Sequence, residues 1–239
     1  MHLVPASKLQ GFALITLLAL SAAAFADTRT NLEQSPSWNS CTECAGAFGA
    51  GSAAAHSMAR GVASPSRDGA SARFTLGGSN PYSNAYWWNS VATGSQATNF
   101  KYDVYFYMKN PGASQALEFE MNQGLNGRKY IFGVQCAFKS RVWRVYDAAG
   151  RRWVPTSIAC NVPAGYQWHH AVFEFHRSAS TAKSHFLSIS IDGKKSYVNR
   201  NYGPRANPIK TINVAFQMDG DRNQTDYQVW LDSMQVSWW

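Results

Sequence analysis

The chain has 239 residues, 45% hydrophobic and 14% aromatic, and its 22 Lys and Arg against 14 Asp and Glu give a formal net charge of +8. That length suits one domain with a sizeable core. The basic residues are scattered, with no dense Lys/Arg run and no nucleic-acid signature motif, so nucleic acid is not an expected partner.

The first residues read as a targeting segment. Lys8 supplies a positive start, Gly11 to Leu20 is almost wholly apolar, and Ala24-Phe25-Ala26 has the small-x-small form of a signal-peptidase site. The apolar run falls well short of the roughly 20 residues needed to span a bilayer. Residues 1–26 are therefore expected to be a cleaved signal peptide. The mature protein is expected to be secreted or periplasmic, monomeric and without a membrane span.

Four cysteines in an exported chain point to two disulfides. Cys41-x-x-Cys44 has no second pair of similar spacing to complete a zinc site, and the Gly/Ala-rich stretch after it does not suit a thioredoxin-like helix. Structural bridges Cys41–Cys44 and Cys136–Cys160 are favoured, although sequence allows three connectivities. Residues 27–69 are expected as an extended, disulfide-stapled N-terminal segment anchored by Trp38, with Cys41 to Pro65 a surface loop. Residues 70–239 are expected to form a β-sandwich, in one domain with that segment.

From Ser71 the chain alternates. Strands are predicted over Ser71 to Leu76, Tyr82 to Asn89 and Asn99 to Lys109, the last with Tyr102, Val104, Phe106 and Met108 on one face. Tyr82, Tyr86, Trp87 and Trp88 form an aromatic cluster suited to packing or to stacking on sugar rings. Ala116 to Phe138 is the most informative stretch. Leu117, Phe119 and Met121 alternate with Glu118, Glu120 and Asn122, so the strand has one apolar face and one acidic, amide-bearing face. Asn126-Gly127 signals a tight hairpin that returns through Gln135. Strands follow over Val142 to Asp147, Arg151 to Ile158, Gln167 to Arg177, His185 to Ile191, Lys194 to Arg200, Thr211 to Met218 and Asp226 to Trp239. No long segment has helical period, and the pattern implies an all-β fold, a two-sheet antiparallel jelly-roll sandwich.

Two carboxylates projecting from mid-sheet are costly in an ordinary core, which marks Glu118 and Glu120 as candidate catalytic residues. Asn122, Gln135 and Gln217 are candidate hydrogen-bonding groups for substrate, with Trp88, Trp143 and Trp230 as stacking platforms. His169 and His170 point to opposite faces of one strand and cannot share a metal. Asp219-x-Asp221-x-Asn223 places oxygen ligands on a loop and suits structural calcium, the one ion the sequence suggests; no cofactor is required.

The run Trp168-His169-His170, the strand Val172 to Phe175, then Leu187 to Gly193, together with Gln217-Met218-Asp219-Gly220 and Val229 to Asp232, resembles concanavalin A-like lectin/glucanase domains, including their laminin G-like branch. The resemblance covers residues 70 to 239 and implies a jelly roll with a concave, ligand-bearing sheet. Laminarinase-like hydrolases of this superfamily carry Glu-x-Asp-x-Glu in the cleft. Here the stretch is Glu118-x-Glu120-x-Asn122, with an amide in the third place. The expected function is recognition of a polysaccharide or cell-surface glycan on the concave sheet. The alternatives are an endo-acting glycoside hydrolase using Glu118 and Glu120 on the same surface, and a non-sugar envelope or adhesion protein.

Overall fold

Side-chain alternation drives the architecture: each strand that carries apolar residues at every second position turns them toward a second sheet. A computed structural model describes residues 26–42, 54–78, 80–161 and 164–239. The strands among the described residues are β1 (Asp27–Arg29), β2 (Asn39–Cys41), β3 (Ala55–Val62), β4 (Ser71–Gly77), β5 (Asn84–Thr93), β6 (Asn99–Met108), β7 (Ser114–Leu125) and β8 (Arg128–Ala137). They continue as β9 (Val142–Asp147), β10 (Arg152–Ala159), β11 (Trp168–Ser178), β12 (Lys183–Ile191), β13 (Lys194–Tyr202), β14 (Arg205–Ala206), β15 (Thr211–Gly220) and β16 (Tyr227–Trp238). Sheet I has the order β13-β12-β11-β6-β16-β4-β3 with β1 on β16; sheet II has the order β10-β9-β8-β7-β15-β5-β2 with β14 on β8. All these pairings are antiparallel. The fold is the predicted two-sheet sandwich.

Phe119 sits at the centre of the core. Its ring lies 5.1 Å from Phe173, 5.8 Å from both Tyr102 and Phe106 across the sheets, and 5.5 Å from Phe216 within its own sheet. Towards one end Phe74 meets Trp87 and Phe216 at 5.1 Å each. Such edge-on and tilted pairs add to the area that the rings bury. The Asn126-Gly127 hairpin forms as predicted, with both residues at positive φ (51° and 72°) and Leu125 paired with Arg128.

The N-terminal segment departs from its expected form. It contributes β1 and β3 to sheet I and β2 to sheet II, so part of the expected Cys41 to Pro65 loop is an edge strand. The small residues of β3 carry no apolar period, and its pairing with β4 supplies the order. Trp38 anchors the segment, donating to the Leu32 carbonyl at 2.8 Å and meeting Phe74 edge-on. The expected signal peptide and Cys44 lie outside the described residues, apart from Ala26; Cys41 itself is disulfide-bonded. Among the described residues no helix is long and apolar enough to cross a membrane.

The Cys136–Cys160 bridge is present, joining residues 24 apart in sequence. It ties β8 to the end of β10 around the β9 excursion. Closing a loop of that size is worth about 3 kcal/mol through the unfolded chain. Replacing both cysteines with alanine is expected to lower the unfolding free energy by about that amount in urea titration, with the far-ultraviolet circular dichroism of the folded state unchanged.

Candidate functional site

β7 is central in sheet II, flanked by β8 and β15, and its register fixes what stands beside each carboxylate. Glu118 pairs with Gln135 on one side and Gln217 on the other; Glu120 pairs with Gly133 and Ala215; Asn122 pairs with Ile131 and Asn213. The rows extend to Tyr86 opposite Gln217, Trp88 opposite Ala215, and Arg144 opposite Gln135. Leu117, Phe119 and Met121 face the core. Glu118, Glu120, Asn122, Gln135, Gln217 and Trp88 thus share the outer face of sheet II.

Amides and a phenol, rather than cations, hold the acids. Gln135 Nε2 donates to Glu118 Oε1 at 2.6 Å and reaches Asp219 Oδ2 at 3.3 Å, while Gln217 Nε2 donates to Asp219 Oδ1 at 2.8 Å. Glu120 Oε1 accepts from Tyr86 Oη at 2.9 Å and from Asn122 Nδ2 at 2.5 Å. Burial pushes the Glu118 carboxyl well up, and the Asp219 carboxylate beside it adds to the shift. Asp219 is raised too, chiefly by burial. The pair therefore holds a proton above the ordinary carboxylate range. Burial and Glu120 likewise raise Tyr86 well above an ordinary phenol, so it stays a donor.

Small residues, Gly133 and Ala215, stand on either side of Glu120. A side chain at Gly133 would meet Glu120 Oε2 at 3.3 Å, Tyr146 at 3.2 Å and Trp153 at 3.3 Å. Tyr146 and Trp153 form one flank, with ring centroids 5.1 Å apart; Tyr86 and Trp88, stacked at 5.7 Å, form the other. Lys129, on the same face of β8, has its ammonium pKa lowered, first by burial and also by Arg205, with Glu120 opposing. Asn122 and Gln135 each spend their NH2 on a carboxylate. Their carbonyl oxygens, Asn122 Oδ1 and Gln135 Oε1, are buried without a partner among the described residues.

Two predicted platforms belong elsewhere. Trp143 is 3% exposed and packs against Phe173 between the sheets, because β9 turns it inward with Val145 and leaves Arg144 and Tyr146 outside. Trp230 stands on the outer face of sheet I, edge-on to Tyr107 with Lys109 over its ring, across the sandwich from Glu118. Conversely, Tyr146, Trp153, Lys129 and Asp219 belong to the face and were not predicted there, while Tyr86, read as part of a packing or stacking cluster, stands on it. Alternation would have placed Tyr86 and Tyr146 outside once Trp87 and Val145 were assigned to the core.

The carboxylates of the predicted calcium loop meet protein groups. Asp219 is engaged by Gln135 and Gln217, whereas Asp221 accepts from Lys139 at 3.1 Å and from the Asn223 backbone N–H. A different trio fits a cation. Glu33, Asp68 and Asp232 offer carboxylate oxygens within 4.8 Å of one another, from a 3-10 turn, the β3–β4 loop and β16. Glu33 and Asp232 are fully buried, and Glu33 Oε1 has no partner among the described residues. Hard, close-set oxygens of this kind suit calcium-type ions.

No known family model matches the sequence, and neither does any curated protein. The fold is similar to that of a cellulose-induced protein, Cip1, at TM-score 0.51 and 12% identity over 83% of this chain and 90% of that one. It is similar, at TM-score 0.50 and 13% identity, to the alginate lyase Aly36B solved with an alginate trisaccharide, over 84% of this chain and 98% of that one. Identity this low shows a shared fold, the jelly roll that the concanavalin A-like resemblance implied.

Burial, with the neighbouring acids adding, raises Glu33 to about 7 from 4.5. The unfolded chain loses this proton first, so cation-free stability falls as pH rises from 4.5 through about 7. Urea midpoints in chelator are expected to drop between those limits, and Glu33→Gln to flatten part of the drop. A midpoint that rises over that interval in the wild type would contradict the shift.

Proposed function

We propose that this is a secreted glycan-recognition protein that binds on the outer face of sheet II. The observation that carries this reading is the row of acids and amides on that face, Glu118, Glu120, Asn122, Gln135 and Gln217, set between two aromatic pairs. Carboxylates and amides of this kind exchange hydrogen bonds with sugar hydroxyls. Glu120 supplies an acceptor, and a protonated Glu118 a donor. The Trp88–Tyr86 and Trp153–Tyr146 flanks offer faces on which pyranose C–H groups pack. The disulfide suits an oxidising compartment.

One observation favours a second reading, glycoside hydrolysis on the same surface. Glu118 retains a proton above the ordinary range while Glu120, two residues along the same face, accepts two hydrogen bonds. A general acid beside an acceptor carboxylate is what glycosidic cleavage requires.

Retention on a panel of neutral and acidic polysaccharides decides between them. Asn122→Ala and Gln135→Ala are each expected to weaken retention about tenfold, the worth of one good hydrogen bond at a buried site. Release of new reducing ends that Glu118→Gln abolishes would establish the hydrolase. Neither retention nor release on any substrate would overturn both readings and leave a non-sugar adhesion role.

The cation reading has its own test. Calcium at Glu33, Asp68 and Asp232 is expected to raise the melting temperature of chelator-treated protein, and Asp232→Asn to abolish the rise. A rise that persists in Asp232→Asn would place the ion elsewhere.

A further inference from the structure

The edges of the sandwich do not close evenly. Arg200 of β13 bridges to the Pro155 carbonyl of β10 at 3.0 Å, holding the two sheets together at one point. Beyond it the edges part, and a cavity of about 720 Å³ runs inward between Ser157 to Asn161 on one side and Lys194 to Tyr197 on the other. Its inner wall is apolar: Phe106, Leu117, Phe119, Trp143, Ile189 and Ile191. The Cys136–Cys160 bridge forms part of the sheet II wall. Protein interiors seldom leave voids larger than a water molecule, and this volume lies within the range of pockets that hold small ligands.

The mouth is polar, and its charges are unequal in availability. Asp192 lines it, but both of its oxygens are engaged: Oδ2 with His169 Nδ1 at 2.8 Å and Oδ1 with the His170 N–H at 2.8 Å. Lys194 also lines the mouth, is exposed, and makes no ion pair among the described residues. His169 Nε2, buried at the same rim, makes only long contacts of 3.4 Å to the Ala164 carbonyl and Gln167. Asp192 keeps its charge, so the entrance carries one charge of each sign, but the carboxylate's oxygens are taken and the Lys194 ammonium is the charged group free to meet a ligand. Beneath it lies an aliphatic and aromatic channel.

We propose that this inter-sheet cavity is a second binding site, for an amphiphile with a linear apolar tail and an acidic head, the tail between the sheets and the head against Lys194. It lies between the sheets, opposite the outward-facing glutamates, and does not depend on how the glycan face is used. Transfer of the tail from water supplies the affinity, and the lysine selects the head group.

Trp143 in the wall gives a direct readout. ω-Bromoundecanoic acid, whose heavy atom quenches nearby indoles, is expected to quench the fluorescence of the full mature protein saturably, with one molecule bound per chain by calorimetry. Trp143→Phe should remove much of the quench. Ser196→Trp, which fills the half-buried mouth, should weaken binding at least about tenfold, and Lys194→Gln should weaken the acid about tenfold while sparing undecanol. Should Ser196→Trp fail to fold, Lys194→Gln on the surface still decides the matter. No saturable binding of the acid would overturn the proposal, as would equal binding of acid and alcohol or binding indifferent to both substitutions. Retention on polysaccharide is a separate measurement, so loss of one activity is distinguishable from loss of the other.

Discussion

The register of β7 between β8 and β15 governs everything on the outer face of sheet II. A slip of one residue would exchange Leu117, Phe119 and Met121 for Glu118, Glu120 and Asn122, burying two acids against Phe173 and Tyr102. The register is held from within by Phe119, which touches rings of both sheets, and at the end by the left-handed Asn126-Gly127 turn. Core packing and the polar face are thus one constraint seen from two sides.

What distinguishes that face chemically is how its acids are compensated. Arg or Lys partners would neutralise Glu118 and Glu120 and leave little for a ligand to do. Amides and a phenol instead satisfy individual oxygens without removing charge. Glu118 and Asp219 consequently hold a proton between them. A second group of acids, at Glu33 and Asp232, lies buried without a basic partner among the described residues, at the junction of the N-terminal segment with β16. There the compensation suits a cation, and the same segment that β1 and β3 stitch into sheet I supplies a ligand.

Much of this was legible in the chain. Period-two alternation located most of the strands from β4 onward, the Asn126-Gly127 pair marked a hairpin, and Glu118, Glu120, Asn122, Gln135, Gln217 and Trp88 do share one face. Alternation within a strand says which residues lie together but not which side of which sheet they occupy. Trp230 is outward like Glu118, yet on the opposite sheet, and only strand order reveals that. Trp143 was misplaced although Val145, two residues on, pointed inward with it. β3 has no period to read, since an exposed edge strand of small residues derives its order from pairing. The cation trio joins positions 33, 68 and 232, and no local spacing records such a meeting.

The central claim is that the acid and amide face around Asn122 and Gln135 binds sugar. Side-chain amide resonances report this directly in a nuclear magnetic resonance titration with oligosaccharide fragments of whichever polysaccharide retains the protein. The account predicts that the Asn122 and Gln135 NH2 signals shift saturably, together with the indole signals of Trp88 and Trp153. Saturable shifts confined to Trp230, Tyr107 and their neighbours on sheet I, with those amides unmoved, would contradict it.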